Sequence, residues 1–180
     1  MVNSVNGNVG FSIQFNSYGN TITDSIAYNN NVGFLISSAS SNILLNNIAY
    51  SNGNGFSIGG SSSSFNNLTN NLARNNMYGF YYQYPNFTYS DSNTASNNDY
   101  GFYLFSSDMN AFKNNTASNN TFGFYLSQSF NNTLIQNKAL NNSYGAKLEY
   151  SSNNSLSENM INNRVYVLHL FPQSSNNILI

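Results

Sequence analysis

The chain has 180 residues, five Lys plus Arg, six Asp plus Glu, one His, a net charge of −1, and neither Cys nor Trp. That length is enough for one domain with a sizeable core, while a charged fraction of 6%, against a typical ~25%, excludes the basic stripe that a nucleic-acid binder needs to displace counterions. Without Cys there is no disulfide framework, thiolate metal site or redox centre. Asn and Ser, 40 and 29 residues, take the place of the missing charges, but 14 Phe and 14 Tyr supply too much apolar surface for a disordered chain.

Along the chain, Met1 to Gly10 is polar and lacks the basic and apolar regions of a signal peptide. No later apolar run approaches the ~18 residues of a membrane span, so no membrane insertion is expected. A repeat then begins. Gly-Phe pairs fall at Gly10-Phe11, Gly33-Phe34, Gly55-Phe56, Gly79-Phe80, Gly101-Phe102 and Gly123-Phe124, continued by Gly145-Ala146 and Val167-Leu168, at spacings of 23, 22, 24, 22, 22, 22 and 22 residues. Self-similarity at such a period is the signature of a solenoid.

With the Gly as position zero, position one is mostly Phe and position three reads Ile13, Ile36, Ile58, Tyr82, Leu104, Leu126, Leu148, Leu170. Two apolar columns two residues apart predict a strand with one buried face. A second strand is centred on position eleven (Ile22, Leu44, Leu68, Phe112, Leu134, Leu156, Ile178), and a third on the small residues of position sixteen (Ala27, Ala49, Ala73, Ala95, Ala117, Ala139). Asn recurs between the strands. Position nine holds Asn20, Asn42, Asn66, Asn110, Asn132, Asn154 and Asn176; position fourteen holds Asn47, Asn71, Asn93, Asn115, Asn137 and Asn159; position nineteen holds Asn30, Asn52, Asn76, Asn98, Asn120 and Asn142. Asn tolerates left-handed backbone, and its amide can bond the Asn one coil away, so these columns predict three corner ladders that both bend the chain and satisfy each other.

Three short strands and Asn corners in a 22-residue coil fit an all-β parallel β-helix of about eight coils, a rod roughly 40 Å long at the strand spacing of a sheet. The pattern, seen in Tyr100-Gly101-Phe102-Tyr103-Leu104 and Asn115-Thr116-Ala117-Ser118-Asn119-Asn120, resembles the NosD-like, or CASH-type, right-handed β-helix repeat. That family includes periplasmic copper-maturation proteins, polysaccharide-degrading enzymes and surface proteins, so the resemblance implies architecture more than activity. The fourth coil departs from the pattern: Pro85 removes a ladder donor, and Thr88 and Ser90 replace an Asn and an aliphatic residue, so a bulge or loop is expected there. Residues 1–180 are expected to form one repeat domain, uncapped at both ends, whose ends stack on copies of the same chain.

Catalytic chemistry is harder to find. A glycosidase needs converging carboxylates, yet Asp24, Asp91, Asp99, Asp108, Glu149 and Glu158 are scattered. Lys147 and Glu149 are neighbours on the outside of one strand, with His169 one coil on, and are expected to be a solvated pair. Copper would call for clustered Met and His, whereas Met1, Met77, Met109 and Met160 lie at unrelated positions. No metal site and no cofactor are therefore expected. At the outward position two, Tyr81, Tyr103 and Tyr125 form a stripe beside Tyr78, Tyr100, Phe122, Tyr144 and Tyr166 at position twenty-one, whose rings either join it or point inward. Rings in a row suit stacking against sugar rings or a partner protein. Seven Asn-X-Ser/Thr sequons, from Asn67 to Asn153, add weak support for a surface location.

The sequence is accordingly read as a non-catalytic, structural or adhesive β-solenoid at the cell surface or outside the cell, assembling end to end. The alternative is a carbohydrate-binding or carbohydrate-active module whose Tyr stripe meets a surface polysaccharide.

Overall fold

The computed structural model describes residues 3–180, with side chains from residue 6 onward. Among these residues there are 24 strands and no helix, in three parallel sheets of eight. Each coil supplies one strand to each sheet. The long strands, Val9–Gln14, Val32–Ser37, Asn54–Gly59, Tyr78–Gln83, Tyr100–Phe105, Phe122–Ser127, Tyr144–Glu149 and Tyr166–Leu170, form what we term the long sheet. A second sheet runs from Thr21–Thr23 to Ile178–Leu179, and a third from Asn3–Val5 to Met160–Asn162. The expected parallel β-helix of about eight three-stranded coils is therefore the architecture.

The register follows the repeat, with Phe34 paired to Phe56, Phe80 to Phe102 and Phe102 to Phe124. Those rings stack inside the rod at 4.8–4.9 Å with planes within 8° of parallel. Each fully buried Phe contributes about 1.5–3 kcal/mol, and identical neighbours let every coil reuse the same rotamer. Gly and Ala are coupled. A Cβ on Gly101 would lie 2.6 Å from the Gly123 carbonyl oxygen and 3.2 Å from the Ala117 Cβ, so the corner before the long strand closes only with Gly and with a small residue beside it.

The Asn ladders form, with a division of labour that differs from the expectation. Asn98 is representative: its backbone N–H donates to Asn120 Oδ1 at 2.8 Å, and its Nδ2 donates to the same oxygen at 3.2 Å and to the Ala73 carbonyl at 3.2 Å. Asn52, Asn76 and Asn120 are bonded alike. Asn47, Asn71, Asn93, Asn115 and Asn137 repeat the pattern at the second corner, ending on Asn159. Asn110, Asn132 and Asn154 do so at the first, as does Asn42. The chain bends one residue earlier, where Asn97, Asn119, Asn114, Asn131 and others have φ of 54–57°. One Asn bends and the next, buried, bonds.

Single-residue shifts correct the columns near the end of the chain. The first-corner ladder closes on Asn177, 2.9 Å from the Asn154 N–H, and not on Asn176, which sits in the bending position with φ 56°. Leu179, not Ile178, pairs with Leu156. The third ladder runs one coil further than expected, to Asn163. A Ser ladder also escaped the sequence reading: the N–H groups of Ser107, Ser129 and Ser151 donate to the hydroxyls of Ser129, Ser151 and Ser174 at 3.1–3.2 Å.

The fourth coil has no bulge. Tyr89 pairs in register with Asn67 and Ala111. Where Ser90 leaves space in the apolar column, the fully buried Tyr82 fills it, its OH 3.2 Å from Ser90 Oγ, which also contacts Asn93 Nδ2 and Asn115 Oδ1. Burial holds the Tyr82 phenol well above its ordinary pKa, so it remains a donor. The irregularity that does remain is Thr88. It interrupts the ladder between Asn66 and Asn110, and its Oγ1 is buried without a hydrogen-bond partner.

Candidate functional site

Outward-facing residues of the long sheet change character midway along the rod. Position two reads Ser12, Leu35 and Ser57 in the first three coils, then Tyr81, Tyr103, Tyr125, Lys147 and His169, all in register. Position twenty-one also faces outward, correcting the inward alternative. Tyr78, Tyr100, Phe122, Tyr144 and Tyr166 are stacked at 4.8–5.1 Å, and the two columns touch, with Tyr78 5.0 Å from Tyr81 and Tyr100 5.3 Å from Tyr103.

The geometry changes how such a stripe can bind. Tyr81 and Tyr103 stack at 5.4 Å with planes 8° apart, and Tyr103 and Tyr125 at 4.9 Å. Ring faces are therefore covered by the neighbouring coils, and the columns present ring edges and hydroxyls outward. Tyr103 is covered on both faces by Tyr81 and Tyr125, and Lys147 covers the second face of Tyr125, so the expected stacking of sugar rings is blocked at Tyr103 and Tyr125, whereas Tyr81 has Ser57 as its neighbour on the other side. What remains is a rail of phenols. Burial, followed by the neighbouring phenols, raises the pKa of Tyr81 and Tyr103, keeping them protonated as donors.

The rail ends in a cluster of charged groups. Lys147 Nζ lies 4.4 Å from the centre of the Tyr125 ring and 4.6 Å from that of Phe171, a cation–π seat. The same Nζ is 3.2 Å from Glu149 Oε2 and 3.2 Å from Tyr125 OH, while Tyr125 OH donates to Glu149 Oε2. The Lys and Glu side chains are only 13% and 23% exposed, so the solvated pair expected from sequence is instead half-enclosed and joined to Tyr125. Burial and then the bond to Glu149 push the Tyr125 phenol up. That bond, followed by Lys147, holds the Glu149 carboxyl below its usual range. His169 stacks on Tyr166 at 4.7 Å and Tyr144 at 5.8 Å, and its buried Nδ1 has no partner.

The sequence reading places Tyr125 in the stripe but does not join it to Lys147 and Glu149. Tyr125 lies 24 residues from Glu149, one coil plus the two-residue step from position two to position four, and that offset was the available signal. The Asn ladder residues lie in the corners and do not enter the cluster.

Copper is a poor match for the described residues. There is no group of three His, Cys, Asp or Glu side chains that could hold a metal, and Met77 and Met109, in two different connections between strands, and Met160, on a strand, are all exposed; Met1 lies outside the described residues. The soft ligands that copper selects are not brought together.

A depression of about 370 Å³ at the last coil is lined by Leu156, Ile161, Leu168 and Leu179 among others. A second, also about 370 Å³, is polar and follows the corner before the long sheet, along Asn97, Asp99, Asn119, Thr121, Asn141, Ser143 and Arg164.

Comparison with solved structures places the fold among right-handed β-helices. The chain is similar to the A-module of the mannuronan C-5 epimerase AlgE6 of Azotobacter vinelandii, with a TM-score of 0.77 and 20% identity over 99% of this chain and 58% of that one. It is similar to the AlgE4 A-module of the same organism, with a TM-score of 0.66 and 14% identity over 96% and 63%. A variant of the periplasmic alginate epimerase AlgG gives a TM-score of 0.69 and 22% identity over 78% of this chain and 35% of the other. The chain thus spans less than two thirds of each. No match is found among curated protein sequences.

These likenesses correct the expectation of a non-enzyme. The folds that superpose along nearly the whole chain are those of epimerases, which are enzymes, so a plain solenoid with few carboxylates gives no ground for excluding catalysis. The family model described as periplasmic copper-binding protein (NosD) matches residues 59–180, more than half of the sequence and all of its Tyr-rich coils, and the chain belongs to the NosD family.

Proposed function

We propose that this chain is a carbohydrate-active β-helix module, working outside the cytoplasm, that holds an acidic polysaccharide against the outer face of its long sheet. The observation that supports it best is the convergence of Tyr125, Lys147, Glu149 and His169 on one outward surface at the end of the phenol rail. The epimerase neighbours and the periplasmic descriptions of the NosD family and of AlgG add support for substrate and place.

The cluster has the parts needed to move a proton at a sugar carbon next to a carboxylate. Lys147, oriented by three aromatic rings, meets a sugar carboxylate as a fixed positive charge. Tyr125, kept protonated by burial and by Glu149, is the proton donor. His169, stacked on Tyr144 and Tyr166 one coil beyond Lys147, is the acceptor through Nε2, since its Nδ1 is buried. Glu149 touches Tyr125 and Lys147 and orients both.

Incubation with mannuronan in deuterated water tests this reading. Solvent deuterium entering the sugar, read by mass spectrometry, is expected for the wild type and lost in Tyr125→Phe. Binding without deuterium uptake would remove the catalytic part, and absence of both would sink the whole.

A further inference from the structure

The polar corner groove lies on a different face of the coils from the Tyr125–Lys147 cluster, and its outer row serves the fold through its backbone alone. Its inner wall is the third Asn ladder, in which Asn98, Asn120 and Asn142 are fully bonded. Its outer row is different. Asn97, Asn119, Asn141, Asp99, Thr121, Ser143 and Arg164 line the groove, and none of their side chains has a hydrogen bond or ion pair within the described residues. Left-handed φ values of 55°, 56° and 58° explain why Asn stands at 97, 119 and 141. They do not explain the hydroxyl-bearing column beside them, Thr121 and Ser143, or the Asp99 and Arg164 that close the row at opposite ends. The corresponding corner of the earlier coils has Asn31, Gly53 and Met77, with Asn31 turned to Asn8.

Amides and hydroxyls spaced one coil apart match the hydroxyls of a sugar chain lying parallel to the rod axis. The single guanidinium at one end, with an acid at the other, sets the polarity of an anionic strand. From Asn97 to Arg164 the row covers three coil steps, about 15 Å at sheet spacing. It runs directly beside the ring column, because Asp99, Thr121 and Ser143 each precede Tyr100, Phe122 and Tyr144 in the chain.

We infer that this groove is a second polysaccharide subsite, which grips a strand of acidic sugar with Arg164 on a carboxylate and with the Asn, Thr and Ser row on the hydroxyls. The inference rests on the carbohydrate reading above and gives it a direction, with the strand parallel to the axis.

The test is calorimetric titration with oligomannuronate and, in parallel, neutral cello-oligosaccharide, on the wild type, Arg164→Gln, the Asn119→Gly/Asn141→Gly double variant, which keeps the left-handed backbone, and Lys147→Met, with circular dichroism and melting as fold controls. Arg164→Gln is expected to weaken oligomannuronate binding roughly tenfold, the scale of one charge-assisted bond, and the double variant severalfold, with melting unchanged. If both bind like the wild type while Lys147→Met loses affinity, the groove is not a subsite and the carbohydrate reading stands. If the wild type prefers the neutral sugar, the acidic occupant is wrong. No binding to either sugar overturns both.

Discussion

From the second coil to the sixth the Phe column of the interior is unbroken, while the exterior changes between the third coil and the fourth. Phe34 and Phe56 in one half stack as Phe102 and Phe124 do in the other, at 4.8 and 4.9 Å. Outside, Ser12, Leu35 and Ser57 give way in register to Tyr81, Tyr103, Tyr125 and then Lys147 and His169. A solenoid constrains only the inward side chains and the corners, because each coil needs only to match its neighbours. The outer positions are free to vary, so a change confined to them marks where function lies.

Substitutions that sharpen this comparison fall in a clear order. Asn115→Leu comes first. The side chain accepts from the Asn93 N–H and donates to the Ser90 carbonyl and Asn137, and its loss orphans several buried groups at about 1–3 kcal/mol each. A loss of at least ~3 kcal/mol is expected in denaturant melts, whereas Asn119→Gly, one row out and free to keep the left-handed φ, should change stability by less than about 0.5 kcal/mol.

Gly101→Ala is next. The added Cβ meets a backbone oxygen at 2.6 Å, and such overpacking costs about 1–3 kcal/mol. The fourth coil offers a coupling test. Ser90→Leu should destabilise by a similar amount against Tyr82, and Tyr82→Leu should leave Ser90 facing a gap, while the double variant should recover most of the loss. A double-mutant cycle giving about 1 kcal/mol or more of coupling supports the exchange of volume between the two, and additivity would refute it.

On the outer face the effects are smaller. Because Tyr125 and Lys147 depress the Glu149 pKa, the stability it contributes is present above the unfolded carboxylate value of ~4.3 and is lost as pH falls through the folded value. Glu149→Gln should flatten that acid limb by less than about 1 kcal/mol, since the group is partly exposed. Thr88→Val, which removes a buried hydroxyl without a partner, should be neutral or raise the melting temperature slightly.

Much of the fold was legible because the repeat supplies each position several times. Strand centres, ladders and the outward Tyr stripe follow from the Gly-Phe spacing alone. The errors fall where a coil changes length, as at Asn177 and Leu179, or where two departures compensate, as at Tyr82 and Ser90, which look like faults when each column is read by itself. The site was less visible. Tyr125 meets Glu149 diagonally across coils, and the mutual covering of the rings depends on side-chain tilt that periodicity does not encode.

The most direct measurement is hydrogen–deuterium exchange of the whole chain with and without oligomannuronate, resolved by peptide. The account predicts added protection in the long strands and corners of the fourth to eighth coils, Tyr78–Gln83 to Tyr166–Leu170, and none in Val9–Gln14 or Val32–Ser37. Protection centred on the first three coils, or no change anywhere, would contradict it.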